Sequence, residues 1–289
     1  LKDGTRVVFV GDADQLPSVG PGNLLRDLIA TGVFPTVKLT RIFRQAATSG
    51  IVLNAHRVNR GQMPILTGDF DDFIFIERED PEQVACRVVD VCVEMRAQGQ
   101  YDVLNDVQVI SPMKRGVAGV EELNRRLREA LNPRSPGKAE VRRGAEVLRV
   151  GDRVIQVVND YDKEVFNGDC GRIAGIDSDA GKVEVAYLEG SGERVVDYDL
   201  TELDEIAPAF AVTVHKSQGN EFPVVVMPVV TQHYVMLQRN LLYTGMTRGK
   251  KLLIMVGSRK ALAIAVRNDR VVQRFGKLRQ RIAANVNSP

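Results

Sequence analysis

Four stretches of this sequence place polar or charged side chains beside apolar runs, and each can act on an anion. The first is VFVGDADQLPSVGPG, residues 8–22, where an apolar run ends in Asp12, Asp14 and Gln15 before a proline and glycine turn. Polar side chains at the carboxyl end of a parallel strand lie where open α/β sheets bind ligands. A glutamine there can orient a water or touch a terminal phosphate; the plainer reading is an Asp-rich turn capping the next helix. The second is KLTRIFRQ, residues 38–45, with Arg41 and Arg44 three apart. A planar guanidinium matches phosphate and stabilises charge that develops in phosphoryl transfer, although for any single arginine a surface salt bridge is the commoner outcome. The third is AFAVTVHKSQGNEFPVVVM, residues 209–227, a polar loop between two buried strands. Buried hydroxyls and amides must find partners, and a ligand is a natural one. Gly219 permits close backbone approach, Thr213 and Ser217 can donate to phosphate oxygens, and Lys216 adds charge. His215 taken alone is more often structural than functional. The fourth is LLYTGMTRGKKLLIMVG, residues 241–257, with Arg248 between a threonine and a glycine.

Together these strings resemble the motifs of superfamily 1 DNA helicases in their RecD-like branch, the family of the exodeoxyribonuclease V alpha subunit. GDADQLPSVGPG resembles motif III, KLTRIFRQ motif IV, VTVHKSQGNEF the motif V shared with Pif1-like helicases, and YTGMTRGKK motif VI. The resemblance implies an ATP-dependent DNA helicase that moves 5′ to 3′ on single-stranded DNA. It implies that Gln15 senses the γ-phosphate of ATP, that Arg44 and Arg248 are two fingers on that phosphate, and that Glu221 meets the ribose. Asp12 and Gly219 fall in the same nucleotide site. Two arginines from separate loops would form a clamp effective only when two domains close. On the DNA side the resemblance implies backbone contacts from Thr213, His215, Lys216 and Ser217. GDRVIQVVNDYDKEVFNGDCGRI, residues 151–173, resembles the SH3-like barrel (domain 2B), which lies against single-stranded DNA in that family and carries Asn167 here. Each of its residues also reads as scaffold around a tight NGD hairpin. ISPMKRGVAGVEELNRRL, residues 110–127, is similar to the family's pattern after a strand of domain 2A, where Lys114 and Arg115 either touch a phosphate or solvate the loop.

Such residues need elements to hold them. RVVFV at 6–10 reads as a buried parallel strand, GNLLRDLI as a helix, VKLT at 37–40 as a strand, and 51–60 as a polar-faced helix stopping at Gly61. FIFI at 73–76 and VQVIS at 107–111 read as strands, PEQVACRVVDVCVEMRAQ and EELNRRLREAL as helices, and FAVTV, PVVVM and KLLIMV as further buried strands. Strands alternating with helices predict an α/β protein with a doubly wound parallel sheet, RecA-like by the resemblance. Between 141 and 204 short alternating runs are separated by NGD, DSDAG and EGSGE, turn chemistry that predicts an inserted small antiparallel barrel, SH3-like by the resemblance. The expected division is 1–30 as the end of a first RecA-like domain (1A), 31–140 with 205–289 as the second (2A), and 141–204 as the insertion (2B). The last dozen residues, basic and then polar, are expected to fray.

The 289 residues carry a formal net charge of +2, so any nucleic-acid contact must come from local placement of Lys and Arg. No apolar run approaches the roughly 20 residues that span a bilayer, and no signal-peptide pattern is present, which predicts a soluble cytoplasmic protein with no membrane partner. Cys86, Cys92 and Cys170 show no CxxC spacing and are expected as reduced, buried thiols, with no metal site. A phosphate-cradling GxxxxGK followed by Ser or Thr is missing: the Gly-Lys pairs at 137–138, 181–182 and 249–250 precede Ala, Val and Lys. An apolar strand ending in the Asp-Glu pair that holds magnesium is missing too. The expectation is therefore a chain that does not hydrolyse ATP alone, with ATP and Mg2+ held mainly by an N-terminal ATPase half in a longer protein. Its expected partners are single-stranded DNA, ATP and other subunits of an exonuclease V-type complex. The alternative is a non-catalytic single-strand-binding subunit of a recombination or repair complex, steeply salt-dependent and indifferent to ATP.

Overall fold

The computed structural model describes the chain apart from residues 1, 3, 18, 19, 21, 40–47, 145, 190, 191, 270–275 and 287–289. Helices α1 (Leu24–Thr31) and α2 (Gly50–Asn59) precede strand β1 (Phe73–Glu77), followed by α3 (Pro81–Gln98), β2 (Val107–Ser111) and α4 (Val120–Leu131). An antiparallel region then runs through β3 (Glu140–Arg143), β4 (Glu146–Arg149), β5 (Arg153–Gln156), β6 (Cys170–Asp177), β7 (Lys182–Glu189), β8 (Gly192–Asp199) and β9 (Ile206–Pro208). The chain returns through β10 (Ala211–Thr213), β11 (Phe222–Val229), α5 (Arg239–Met246), β12 (Gly249–Gly257), α6 (Arg259–Arg267) and α7 (Leu278–Val286).

The central sheet is entirely parallel, in the order β1-β12-β11-β2-β10. Its middle strands are apolar on both faces because both faces are covered. On one side Val225, Met227 and Met255 pack with Ile51 and Ala55 of α2, Leu241 and Leu242 of α5, and Leu262 and Val266 of α6. On the other, Val109, Val224, Val226 and Ile254 meet Val84 and Val88 of α3 with Leu123 and Leu127 of α4. This is the doubly wound arrangement expected of the sequence. Local signals set the helix ends: the Asp80 carboxylate caps α3 by accepting from the Gln83 amide at 3.0 Å, Pro81 opens its first turn, and Gly99 closes it at φ 68°.

The insertion is a second, antiparallel sheet in the order β8-β7-β6-β5-β9, with its own core of Val154, Ile173, Val183, Val185, Tyr198 and Ile206. Strands β3 and β4 form a separate hairpin. Among the described pairings the five-stranded sheet is open, β8 and β9 being its edges. Its strands interleave between α4 and β10, so the insertion is tied to the parallel sheet at both ends. Arg153, 4% exposed, reinforces the joint by donating to the Val107 carbonyl at 2.5 Å.

Several expectations need correction. RVVFV at 6–10 forms no strand, and Val8 and Val10 are 82% and 92% exposed; residues 37–39 are equally without a strand, with Thr40 outside the described residues. A buried parallel strand exists only when neighbours complete its ladder and helices cover its faces, and neither segment pairs with a strand among the described residues. The terminal segment does not simply fray, since α7 forms and packs near α1. Cys86 is exposed rather than buried, because it lies on the outward face of α3 beside Glu82.

Candidate functional site

The loop carrying Asp12, Asp14 and Gln15 is held against α5 and the polar loop between β10 and β11. The backbone amide of Leu16 donates to Thr244 Oγ1 at 2.8 Å, and its carbonyl accepts from Gln218 Nε2 at 2.7 Å. Asp12 shapes the loop: its Oδ1 accepts the Asp14 amide at 2.9 Å, and its Oδ2 accepts from Gln15 Nε2 at 3.1 Å and the Tyr243 hydroxyl at 2.9 Å. Burial, then the Asp12 charge, pushes the Tyr243 hydroxyl above its ordinary value, so it stays a donor. Asp14 accepts from Asn59 Nδ2 at 3.0 Å and pairs with Lys38 at 3.5 Å. Neither aspartate caps α1, whose N-cap residue, Asn23, makes no side-chain capping bond. Asp12 instead ties the loop to the helix that leads to Arg248, and Asp14 ties it to the end of α2.

Arg248 sits at the amino end of β12 and is 5% exposed. Its Nη2 donates to Gln15 Oε1 at 2.9 Å and Thr247 Oγ1 at 3.1 Å, its Nη1 to the Asn220 carbonyl at 3.0 Å, and its Nε to the Thr244 carbonyl at 3.1 Å. Every one of these acceptors is neutral. Burial is the main force lowering the Arg248 pKa from its ordinary value, opposed by the more distant charges of Glu221 and Asp12. A buried guanidinium bonded only to neutral oxygens keeps its attraction for an anion, and that fits a phosphate. Glu221 is exposed and pairs with Lys250 at 3.0 Å. Gly219 has φ +85° with open space where a Cβ would stand, so the backbone there can be approached closely. Arg44 lies outside the described residues, so its meeting with Arg248 stays an expectation.

The residues expected to face DNA divide into two groups. Lys114 and Arg115 are exposed in the loop after β2, with Lys114 3.7 Å from Glu121 in the first turn of α4. Lys216 reaches solvent, yet crowding by the protein and then the charge of Lys114 hold its ammonium below the usual lysine value. Lys114 and Lys216 therefore share one positive surface. Thr213 is partly buried and its Oγ1 accepts from the Lys216 amide at 3.2 Å, while His215 is exposed. Ser217 is corrected: it is 1% exposed and its hydroxyl donates to the Val214 carbonyl at 2.8 Å, which closes the turn and leaves no hydrogen for a phosphate. Asn167 lies apart from this group, exposed on the hairpin between β5 and β6, where its amide donates to Asn159 Oδ1 at 2.9 Å.

Sequence reasoning missed Tyr243, Thr244, Gln218 and Asn220. Asn220 matters most, because its carbonyl holds Arg248 while its Nδ2 donates to the Gly168 carbonyl of the inserted domain at 2.9 Å. All four stood inside strings already singled out, but the bonds that join them to the glutamine loop and the inserted domain reach from 52 to 231 positions along the chain, and no spacing rule finds them.

A parallel sheet interrupted by a small antiparallel domain, with a glutamine loop bonded to a buried arginine, is a RecA-like arrangement. Sequence comparison narrows the class. Residues 123–187 match the "ATP-dependent RecD-like DNA helicase SH3 domain", residues 208–256 the "UvrD-like helicase C-terminal domain", and residues 1–75 an "AAA domain". The "ATP-dependent RecD2 DNA helicase" of Deinococcus radiodurans is 35% identical over 283 residues, which cover 98% of this chain and 36% of that protein. The "RecBCD enzyme subunit RecD" of Mycobacterium tuberculosis is 28% identical over 305 residues, covering 98% of this chain and 49% of the relative. The Pif1 helicase from Candida albicans, a solved structure, gives a TM-score of 0.49 at 15% identity over 88% of this chain and 62% of that one, a likeness too slight to argue from. The chain is similar to RecD-like helicases along nearly its whole length. It spans between about a third and a half of the length of these curated relatives. Among the described residues no helix is long and apolar enough to cross a membrane.

Proposed function

We propose that this chain provides the second motor domain and the inserted SH3-type domain of an ATP-driven helicase that moves 5′ to 3′ along single-stranded DNA. The observation that carries the reading is the 2.9 Å bond between Arg248 and Gln15, side chains 233 positions apart that the resemblance assigns to one γ-phosphate. ATP would supply the phosphoryl group whose transfer drives movement. Arg248 and Gln15 would hold its terminal phosphate, Glu221 its ribose, and Arg44 would complete the clamp. Arg248 neutralises anionic charge, Gln15 exchanges its bond to Arg248 for one to the ligand, and Asp12 with Tyr243 keeps the glutamine loop in place. Thr213, His215, Lys216, Lys114, Arg115 and Asn167 would contact the DNA strand.

The printed sequence has no phosphate-cradling loop, so the isolated chain is expected to bind single-stranded DNA without hydrolysing ATP. In a longer protein that includes such a loop, Arg248→Ala is expected to abolish DNA-stimulated ATP hydrolysis while sparing DNA binding. Turnover retained by that variant would remove Arg248 from the clamp. Assembly with other subunits of an exonuclease V-type complex is part of the same proposal, supported by the RecBCD subunits among the relatives.

A further inference from the structure

A cleft of about 490 Å³ opens between the last turn of α4 and the β3–β4 hairpin, and its walls are almost entirely cationic. Arg128, Arg134, Lys138, Arg142 and Arg149 line it together with one carboxylate, Glu140. A second carboxylate, Glu129, stands 3.8 Å from Arg128 and 3.9 Å from Arg149. Buried Asp152, which accepts from the Arg149 amide at 2.9 Å, is a third carboxylate, and five cations against three carboxylates is still a local excess in a chain whose whole net charge is +2.

Three of the cations are held in position largely by the backbone. Arg128 Nη1 donates to the Val147 carbonyl, Arg149 Nη1 to the Asn132 carbonyl at 2.7 Å, and Lys138 Nζ to the Pro133 carbonyl at 3.1 Å and Asn132 Oδ1 at 2.6 Å. Arg149 Nε also donates to Glu140 at 2.6 Å. Arg128 Nε is a buried donor without a hydrogen-bond acceptor. Arg134, its side chain 79% exposed and 3.5 Å from Glu140, and Arg142, also exposed, present their forks to solvent. Arg128 and Arg149 are held in a concave wall with their ordering cost already met, and the exposed forks of Arg134 and Arg142 suit the paired oxygens of a phosphodiester. An acidic protein segment fits less well, because Val147 is the one apolar residue in the lining and a peptide would find no pocket for an anchoring side chain.

The cleft is separate from the basic loop already assigned to DNA. Lys114 pairs with Glu121 in the first turn of α4, while Arg128 lies in its last turn. At about 1.5 Å of rise per residue the helix sets Glu121 and Arg128 on the order of 10 Å apart along its axis.

We propose that this cleft is a second phosphodiester-binding site, which takes the backbone of a nucleic acid beyond the strand held at Lys114 and Lys216. The shared chemistry is a row of phosphates, whether on a single strand that continues past the first site or on a duplex arm. The test is fluorescence anisotropy with the whole chain and three labelled DNAs: single strands of about 8 and about 30 nucleotides and a blunt duplex of comparable length. For a DNA that occupies the cleft, Arg134→Ala with Arg142→Ala is expected to weaken binding about tenfold. The slope of log K against log salt should fall by about 1.4 for a single strand or about 1.8 for a duplex. Loss confined to the long single strand identifies a continuing strand, and loss on the duplex identifies a duplex arm. Arg134→Lys with Arg142→Lys should keep the wild-type slope, and both pairs should keep the wild-type melting temperature because the side chains are exposed. Unchanged binding and slope on all three DNAs would overturn the proposal and leave the cleft as a solvated face or a protein contact. Lys114→Ala with Arg115→Ala reports separately on the proposed helicase DNA face: loss there, with none in the cleft variant, removes the cleft alone, whereas a wild-type chain that binds none of the DNAs removes both.

Discussion

Replacing Arg248 with methionine separates a residue kept for its charge from one kept for packing. The wild-type guanidinium donates four hydrogen bonds to neutral oxygens at 2.9 to 3.1 Å while only 5% exposed. Hydrogen bonds to a charged donor contribute about 1.5–3 kcal/mol each, a gross gain of several kcal/mol. Burying an unpaired cation costs several kcal/mol in the opposite direction, and the burial-driven fall in the Arg248 pKa has that sign. The two effects nearly cancel, and no carboxylate loses a hydrogen-bonded partner when the charge is removed. Arg248→Met fills much of the same space but leaves the Asn220 carbonyl without its donor, and is therefore expected to cost about 1–2 kcal/mol. Arg248→Lys keeps the charge but cannot serve acceptors spread around a planar fork, and is expected to lose about 2 kcal/mol or more. Differential scanning fluorimetry reads both, since about 1 kcal/mol moves the melting temperature of a domain this size by roughly 2–4 °C. A methionine variant destabilised by more than about 3 kcal/mol would refute the reasoning, because the guanidinium would then be a structural tie and its lack of an anionic partner would say nothing about phosphate.

His233 gives a pH prediction. Its pKa is pushed down from 6.5 to about 4, by burial first, against a hydrogen bond to the Ala118 backbone. Above pH 6.5 the side chain is neutral in both folded and unfolded chains and its stability term is whole; as pH falls towards 4 the unfolded chain takes up the proton first. The expected loss across that window is about 3 kcal/mol. His233→Gln should flatten the fall in melting temperature between those pH values, and an unaltered fall would assign it to other groups. Asn220→Ala removes the side-chain bond to Gly168 while keeping the carbonyl that holds Arg248. Hydrogen exchange at residues 166–169 should then rise, with about 1 kcal/mol less protection; unchanged exchange would mean the hairpin is fastened elsewhere. Gly257→Ala would set a Cβ 1.9 Å from the Val229 carbonyl oxygen inside the parallel sheet. It should cost more than about 3 kcal/mol, and a variant that melts like wild type would show that β11 and β12 can separate at that point.

Much of the architecture was legible because it depends on local pattern. Apolar runs such as PVVVM and KLLIMV read as strands buried on both faces, and Asp80, Pro81 and Gly99 mark the ends of α3 without help from the rest of the chain. The same rule misread RVVFV, since a strand's pattern states what it would bury and not whether a neighbour is there to pair with it. Ser217 failed for a related reason: its hydroxyl satisfies the turn that carries it, and type and spacing alone do not separate a donor spent locally from one left for a ligand.

The site divides along the same line. Gln15 and Arg248 each stood out as residues able to meet a phosphate, yet their bond to one another, and the Asn220 carbonyl and amide that continue it to Gly168, arise only when three distant segments pack. These bonds give the proposed nucleotide side a contiguous physical connection to the inserted domain. A connection of this kind transmits a change only if Arg248 has two arrangements, one bonded to Gln15 and one bonded to a phosphate. Its neutral acceptors make that exchange feasible: leaving a neutral amide oxygen for a phosphate strands no buried charge, whereas leaving a carboxylate would. The absence of a carboxylate at hydrogen-bond distance from Arg248 among the described residues is therefore what would let the proposed exchange both hold the resting loop and release it.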